Sequence, residues 1–368
     1  MLKMLAEYPQ WLEGWWVDRA CRHYGVARFE DCVQQLERAV QNVSDSFSAD
    51  SEGEVPDYQG NPELMLAYGL FYFPQSFTRI QFALSQAVVQ GWSPPTDRPV
   101  RILDLGAGAG AAGFGAAALL QRPQIQGWAF DRSEYALRIH AELSAIAPAQ
   151  SWKQERIDLR RPQKRRLPKM DLILLSFALN EMPATHEKAL DFWLRRLHPR
   201  GVLLVLEPFS KDSISGLNRY RDRLVEEMSY RILSPGARLP DYPMLQKDDC
   251  EYVRGWRLPQ SLLLLNRNLR RSIEVLKFCY LAISPRGEMP LPPGASHFRL
   301  IAPFLQVKGK WLAAGYASDG VRREYEILSR HLTPELKRKL QALKAGDVVR
   351  ASNVHPAGSC FRFKLDEP

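Results

Sequence analysis

The sequence predicts an α/β fold, a doubly wound parallel sheet preceded by a helical segment and followed by a β-rich one. Three observations carry this. Between residues 101 and 207, short apolar strands alternate with helical stretches, the pattern of a sheet covered on both faces. A glycine-rich loop, Asp104-Leu-Gly-Ala-Gly-Ala-Gly110, follows the first of those strands directly. Upstream, apolar residues recur at helical spacing.

Residues 1–45 read as helices, with Trp11, Trp15 and Trp16, then Val33, Leu36 and Val40, on repeating faces. A polar, turn-rich stretch from Ser44 to Asp57 is a loop. Residues 62–90 are helical again through Leu64, Leu66, Leu70, Ile80 and Leu84, and Trp92 to Pro99 is a linker. The strands follow: Arg101–Leu105, Gly127–Asp131, Lys153–Leu159, Met170–Ser176 and Gly201–Glu207. Helices are expected from Ala116, over Ser133–Ala147 and over Lys188–Leu197. After about residue 230 the alternation stops. Short strands return at Phe298–Phe304, Lys310–Tyr316 and Val348–Ser352, with a helix near Pro334–Ala345, which suggests a small barrel of the OB type. The expected units are 1–95 (helical), 96–230 (α/β), 231–297 (connecting) and 298–368 (β-rich).

The chain has 368 residues, 45% hydrophobic and 25% charged. That is an ordinary globular composition and argues against disordered, collagen-like or coiled-coil chains. The net charge is +9, which favours a polyanionic partner weakly. Residues 1–60 carry five basic and eleven acidic residues, so the remainder bears +15. An acidic front on a basic body suggests either two units with different jobs or a solvated acidic helical layer. The five cysteines are scattered without a C-x-x-C pair, which fits a reducing compartment. No signal peptide, transit peptide or membrane span is expected. The seven histidines show no paired metal-ligand spacing, which excludes a histidine-based metallohydrolase; no metal is expected.

Glycines after a strand let the backbone turn tightly and approach a ligand. The spacing D-x-G-x-G-x-G is not the dinucleotide fingerprint, which disfavours a nicotinamide oxidoreductase. Asp131 ends the second strand with a carboxylate suited to both hydroxyls of a ribose, and Asp158, near the third strand end, suits an adenine amino group. These positions follow successive strand ends, where open α/β sheets bind ligands.

This set resembles the Rossmann-like class I S-adenosylmethionine-dependent methyltransferases over about residues 98–230. The resemblance implies S-adenosyl-L-methionine as cofactor. Asp104 would lie under its methionine part, with Gly106, Ala107 and Gly108 beside it. Asp131 would take the ribose, Asp158 the adenine edge, and Ser176 would stand at the end of the fourth strand. A narrower resemblance rests on Ala67 to Phe77, Asp171 to Pro183, Leu203 to Pro208 and Gly216 to Arg223. In this order they look like the methyltransferase-like assembly factors of the bacterial and mitochondrial small ribosomal subunit. That family is implied to act on the small subunit or its RNA. Its members carry a cysteine segment holding an iron–sulfur cluster. Here Gly236 and Tyr242 stand where cysteines would be, Cys250 alone remains, and the later position falls near Gly315. One thiolate cannot hold a cluster, so none is expected.

The acceptor pocket is expected near Ser176, Asn180 and Glu181, with Asn180 and Glu181 the catalytic candidates. The chain lacks the tetrapeptide of exocyclic-amine methyltransferases there, reading Asn180-Glu-Met-Pro183, and no cysteine nucleophile ends the fourth or fifth strand. Glu207 is either a base or a residue that orients a loop. Arg160, Arg161, Lys164, Arg165 and Arg166 form one basic cluster, suited to RNA phosphates. Arg254 and Arg257, with Tyr252 and Trp256, form a second, suited to unpaired bases. The expected function is methylation of small-subunit ribosomal RNA or the assembling subunit. A non-catalytic assembly factor that binds the cofactor and a small-molecule methyltransferase remain as alternatives. A bacterial cytoplasmic protein, monomeric off the ribosome, is expected, with an organelle matrix as the less favoured alternative.

Overall fold

The computed structural model describes residues 5–48, 61–121, 124–161, 166–179, 182, 189–235, 251–254, 256–285, 296–317, 322–343 and 347–365. The first helices are α1 (Gln10–Tyr24) and α2 (Val33–Ser48). Leu12, Trp16 and Ala20 form the buried stripe of α1, and Leu36, Val40 and Val43 that of α2. A third helical stretch runs from Pro62 to Val89 as α3 (Pro62–Ala67), a π turn (Tyr68–Tyr72) and α4 (Phe73–Val89). Asn61 starts it by accepting from the N–H groups of Glu63 and Leu64 at 3.1 and 3.2 Å. Gly69 is required within it because a Cβ there would fall 2.3 Å from the Trp16 ring.

The central sheet contains β1 (Val100–Leu105), β2 (Ile125–Asp131), β3 (Gln150–Arg156), β4 (Met170–Ser176), β5 (Leu197–Glu207), β6 (Tyr230–Ser234), β7 (Glu251–Arg254) and β8 (Val275–Pro285). Its order is β3-β2-β1-β4-β5-β8-β6, with β7 paired to β8. The first five strands are mutually parallel, and β8 enters antiparallel between β5 and β6. Strands β1, β4 and β5 are near-continuous apolar runs, as strands buried on both faces must be. Their side chains alternate between two cores. Ile102, Leu172, Leu174 and Leu204 join α1–α4, α5 (Ala111–Leu120), α6 (Glu134–Ile146) and α9 (Gln260–Leu269) on one face. Leu103, Leu105, Ile173 and Val205 join α7 (Ala189–Leu194) and α8 (Lys211–Glu226) on the other.

Two differences from the sequence reading bear on the site. The third strand runs Gln150–Arg156, three residues earlier than expected. Its anchor is Trp152, which packs where a Cβ on Gly127 would stand 2.1 Å from the ring. The sheet also extends past residue 230, since β6, β7 and β8 all belong to it.

The acidic front is not a separate body, because its helices share a core with the sheet. Three of its acids, Glu7, Glu13 and Glu37, contact the segment before β8. Arg257 donates to Glu7 at 2.8 and 2.9 Å, and Asn268 donates to Glu37 at 2.8 Å. Glu13 accepts from the N–H and hydroxyl of Ser261, at 2.7 and 2.8 Å, in the first turn of α9.

The C-terminal strands are β9 (Ser296–Leu300), β10 (Leu305–Val307), β11 (Lys310–Ala317), β12 (Arg322–Leu328), β13 (Val348–Ala357) and β14 (Cys360–Leu365), with α10 (Pro334–Ala342) between β12 and β13. Strand β9 pairs with both β13 and β11, so five strands close in the cyclic order β9-β11-β12-β14-β13. The β12–β14 pair is parallel. A five-stranded closed barrel with a helix between its third and fourth strands has OB topology. Phe298, Trp311, Tyr325 and Phe363 fill it.

Candidate cofactor site at the strand ends

The site is built at the carboxyl ends of β1, β2 and β4. Gly106, Gly108 and Gly110 all have positive φ (72°, 52° and 100°), a region L side chains enter only at a cost. Their surroundings differ. A Cβ on Gly106 would meet the Ala178 methyl at 2.7 Å, and one on Gly110 would meet Phe114 at 2.6 Å and His140 at 2.7 Å. At Gly108 a Cβ would meet nothing within 4 Å. The loop is therefore packed at its ends and open at its middle, where a ligand can lie against backbone.

Asp131 secures the open point. Its Oδ2 accepts from the Gly108 N–H at 2.8 Å and its Oδ1 from the Ser133 N–H at 2.7 Å. Burial raises its pKa, against the lowering effect of these backbone bonds. Asp104 is fully buried. Its Oδ2 accepts from the Gly113 N–H at 2.9 Å, while its Oδ1 has no partner among the described residues. Burial pushes its pKa up to about 7, partly opposed by the Gly113 bond. A buried carboxylate oxygen without a donor, next to a cradle with room for one, fits a cationic or hydroxyl-bearing ligand. Ser176 Oγ is likewise buried without a partner among the described residues.

Below the loop lies His140. Its Nδ1 meets Ser144 Oγ at 3.0 Å and Gln154 Nε2 at 3.1 Å. Burial pulls its pKa down to about 4, so it packs as a neutral ring against Phe114 and Trp152.

Asp158 sits two residues beyond β3, and both its oxygens are engaged by Arg160. Oδ1 accepts from Arg160 N–H and Nε, Oδ2 from a terminal nitrogen, at 2.9–3.0 Å. These bonds hold its carboxyl below the usual range. A ligand's amino group would share this carboxylate with Arg160. Arg161 and Arg166 are exposed, and Lys164 and Arg165 lie outside the described residues. So do the catalytic candidates Asn180 and Glu181. The second basic cluster is partly spoken for, since Arg257 pairs with Glu7; the side chain of Arg254 is outside the description. Glu207 is buried and accepts from the Leu179 N–H at 2.9 Å, which makes it an organiser of the turn after β4.

Gly236, Tyr242 and Cys250 fall outside the described residues, while Gly315 lies in β11 opposite Arg323 and Leu300. Among the described residues no cluster of His, Cys, Asp and Glu could hold a metal ion. No described helix is long and apolar enough to cross a membrane.

Sequence reasoning missed one residue near the site, Arg79. It lies on α4, 5.5 Å from the centre of the Phe177 ring at the end of β4. An arginine within the otherwise uncharged run Phe73–Val89 was the available signal.

Among solved structures, the chain is similar to the plantazolicin methyltransferase BpumL in complex with SAH, at 15% identity over 70% of this chain and 98% of that one, with a TM-score of 0.37. It is similar to the precorrin-6y C5,15-methyltransferase of Geobacter metallireducens GS-15, at 17% identity, 55% and 87% coverage and a TM-score of 0.35. The CMeT domain of the citrinin polyketide synthase gives 18% identity, 69% and 65% coverage and a TM-score of 0.42. No curated protein sequence matches the chain. A sequence-family model described as mitochondrial small ribosomal subunit Rsm22 matches residues 62–341. That description corrects the expectation of a bacterial cytoplasmic protein, because it points to an organelle matrix. Matched from α3 through α10, the chain belongs to the mitochondrial small ribosomal subunit Rsm22 family.

Proposed function

We propose that the chain binds S-adenosylmethionine across the ends of β1, β2 and β4 and methylates RNA of the small ribosomal subunit. The observation that carries the reading is the pair of Gly108 and Asp131, an open left-handed glycine with a strand-end carboxylate bonded to its N–H. When bound, the cofactor supplies a sulfonium methyl carbon for in-line displacement, so the protein's part is positioning and electrostatics. Asp131 accepts the ribose hydroxyls. Asp104 lies beneath the methionine portion, and Asp158 reaches the adenine edge in competition with Arg160. Ser176, Asn180 and Glu181 line the acceptor side, with Glu207 holding the turn in place. Family membership supports the small subunit as partner. Arg160, Arg161, Lys164, Arg165 and Arg166 are assigned to RNA phosphates, and Arg254 and Arg257, on the β8 side of the sheet, form a separate candidate cluster for unpaired bases. The chain works as a monomer off the ribosome and without an iron–sulfur cluster, since its sequence supplies Cys250 alone where several thiolates are needed.

One observation favours a second reading, a cofactor-binding assembly factor that transfers nothing. The stretch that follows β4 reads Asn180-Glu-Met-Pro183 in place of the tetrapeptide of exocyclic-amine methyltransferases, and Glu207 Oε1 accepts from the Leu179 N–H. One experiment separates the readings. Small subunits from cells lacking the gene are incubated with the protein and methyl-labelled S-adenosylmethionine, then sedimented. Label in the RNA supports the enzyme. Co-sedimentation without label supports the assembly factor. Neither result sinks the small-subunit assignment. Reversing Arg160, Arg161, Arg165 and Arg166 to Glu is expected to weaken RNA binding and flatten its dependence on salt; an unchanged slope places the RNA surface elsewhere.

A further inference from the structure

Arg79 stands on the β4 side of the glycine loop, opposite Asp131. A chain of contacts fixes it there: its guanidinium lies over the Phe177 ring, and Ala178, next in sequence, packs against Gly106. Phe177 itself adopts φ 57°, a costly conformation for a bulky side chain. Its N–H donates to Leu206 O at 2.7 Å, which holds the ring in place under the guanidinium.

The guanidinium has little to neutralise it. One terminal nitrogen donates to Gln75 Oε1 at 3.2 Å. Its Nε is shielded from solvent and has no acceptor among the described residues, and no described carboxylate pairs with it. Its charge neighbours are Tyr72 and Tyr68, and burial draws its pKa down to about 10, so it remains a cation at neutral pH. A partly desolvated guanidinium without a counter-charge is a standing demand for an anion, and its planar fork suits a carboxylate.

The sheet order indicates which carboxylate. Asp131, the glycine loop and Phe177 follow β2, β1 and β4, three neighbouring strands. Strands lie about 4.8 Å apart, so the span from β2 to β4 is about 10 Å. A cofactor with its ribose at Asp131 and its sulfur over β1 carries its amino-acid end to β4. We propose that Arg79 binds the α-carboxylate of the cofactor's methionine portion and so selects ligands that carry the complete amino acid. This rests on the cofactor reading above.

The test is calorimetry on the full chain with two ligands, S-adenosylhomocysteine and 5′-methylthioadenosine. Both have the adenosine and the sulfur; the second lacks the amino acid. Arg79→Met is expected to weaken S-adenosylhomocysteine binding about 10- to 100-fold, the range for a hydrogen-bonded charge, and to leave 5′-methylthioadenosine binding unchanged. Arg79→Lys keeps the charge, loses the fork and serves where the methionine variant does not fold. It should show a smaller loss on S-adenosylhomocysteine alone. Equal losses on both ligands, or a loss on neither, overturn the proposal. So does a variant that binds S-adenosylhomocysteine normally but loses the small subunit, which would assign the cation to an acceptor phosphate. Wild-type protein that binds neither ligand overturns the cofactor reading itself, an outcome distinct from those.

Discussion

Substituting Gly108 by alanine separates ligand space from packing space. The added methyl group meets no atom within 4 Å, so the folded state suffers only the backbone penalty of an L residue at φ 52°. That penalty is about 1 kcal/mol, a fall in Tm of about 2–4 °C. The same methyl group projects into the space where the cofactor is proposed to lie. Thermal melts with and without S-adenosylhomocysteine read both effects. At a ligand concentration of 100 times Kd, wild-type protein gains about 2.7 kcal/mol. A tenfold loss of affinity cuts this to about 1.4 kcal/mol, so about half the ligand-induced rise should vanish. Gly110→Ala is the contrasting control. Its methyl group would collide with Phe114 and His140, so it should lower the melt without ligand by more than Gly108→Ala does. A Gly108→Ala protein that keeps the full ligand-induced rise would refute the reasoning, since the open space would then not be the ligand's.

Further predictions concern charge and docking. Asp104 has a folded pKa of about 7 against an ordinary 3.8. Its contribution to stability is therefore present below about pH 3.8 and is lost as pH rises through 7. Asp104→Asn keeps an acceptor for the Gly113 N–H, so its stability relative to wild type should climb between pH 4 and 7 in chemical denaturation; a flat difference would count against a buried, protonatable Asp104. Asp171 accepts from both terminal nitrogens of Arg98, at 2.6 and 2.7 Å, and from the Arg101 N–H at 3.0 Å. Asp171→Ala removes these charged bonds while Arg98 keeps solvent and Pro99 O, and should lower stability by about 2 kcal/mol, read from the urea midpoint. Glu13→Ala removes the carboxylate that caps α9. A loss of about 1 kcal/mol is expected, with faster amide exchange in α9.

The parts of the fold that were legible in the sequence are those with local codes. Strands β1, β2 and β4 announce themselves as apolar runs, and the loop from Asp104 to Gly110 by its glycines. The place of β8 had no such code. Val275–Pro285 reads as one apolar run among several, and its insertion between β5 and β6 is decided by long-range pairing. Strand β3 was displaced by three residues because Trp152, not the alternation after Lys153, anchors it. At the site, Asp104, Gly108 and Asp131 followed from their positions at strand ends. The grip of Arg160 on Asp158 did not, because it depends on the exact path of the chain beyond Arg156. The docking of Glu7 on Arg257 spans 250 positions, and no local pattern reports it.

That docking governs the order in which the protein can mature. Whenever the chain is delivered N-terminus first, α1 and α2 emerge long before α9 and β8, with which they share a core. At about 5–20 residues per second, the wait for residue 257 is about 12 to 50 seconds. Throughout it, α1 and α2 have α3 and α4, as in the Trp16–Phe73 contact, but lack α9 and the β8 side of their core. Contacts of such long sequence separation slow folding. The nascent segment thus presents an extended apolar surface, a substrate for chaperones. A chain truncated before β8 would leave that surface uncovered and is destined for aggregation or degradation rather than partial function.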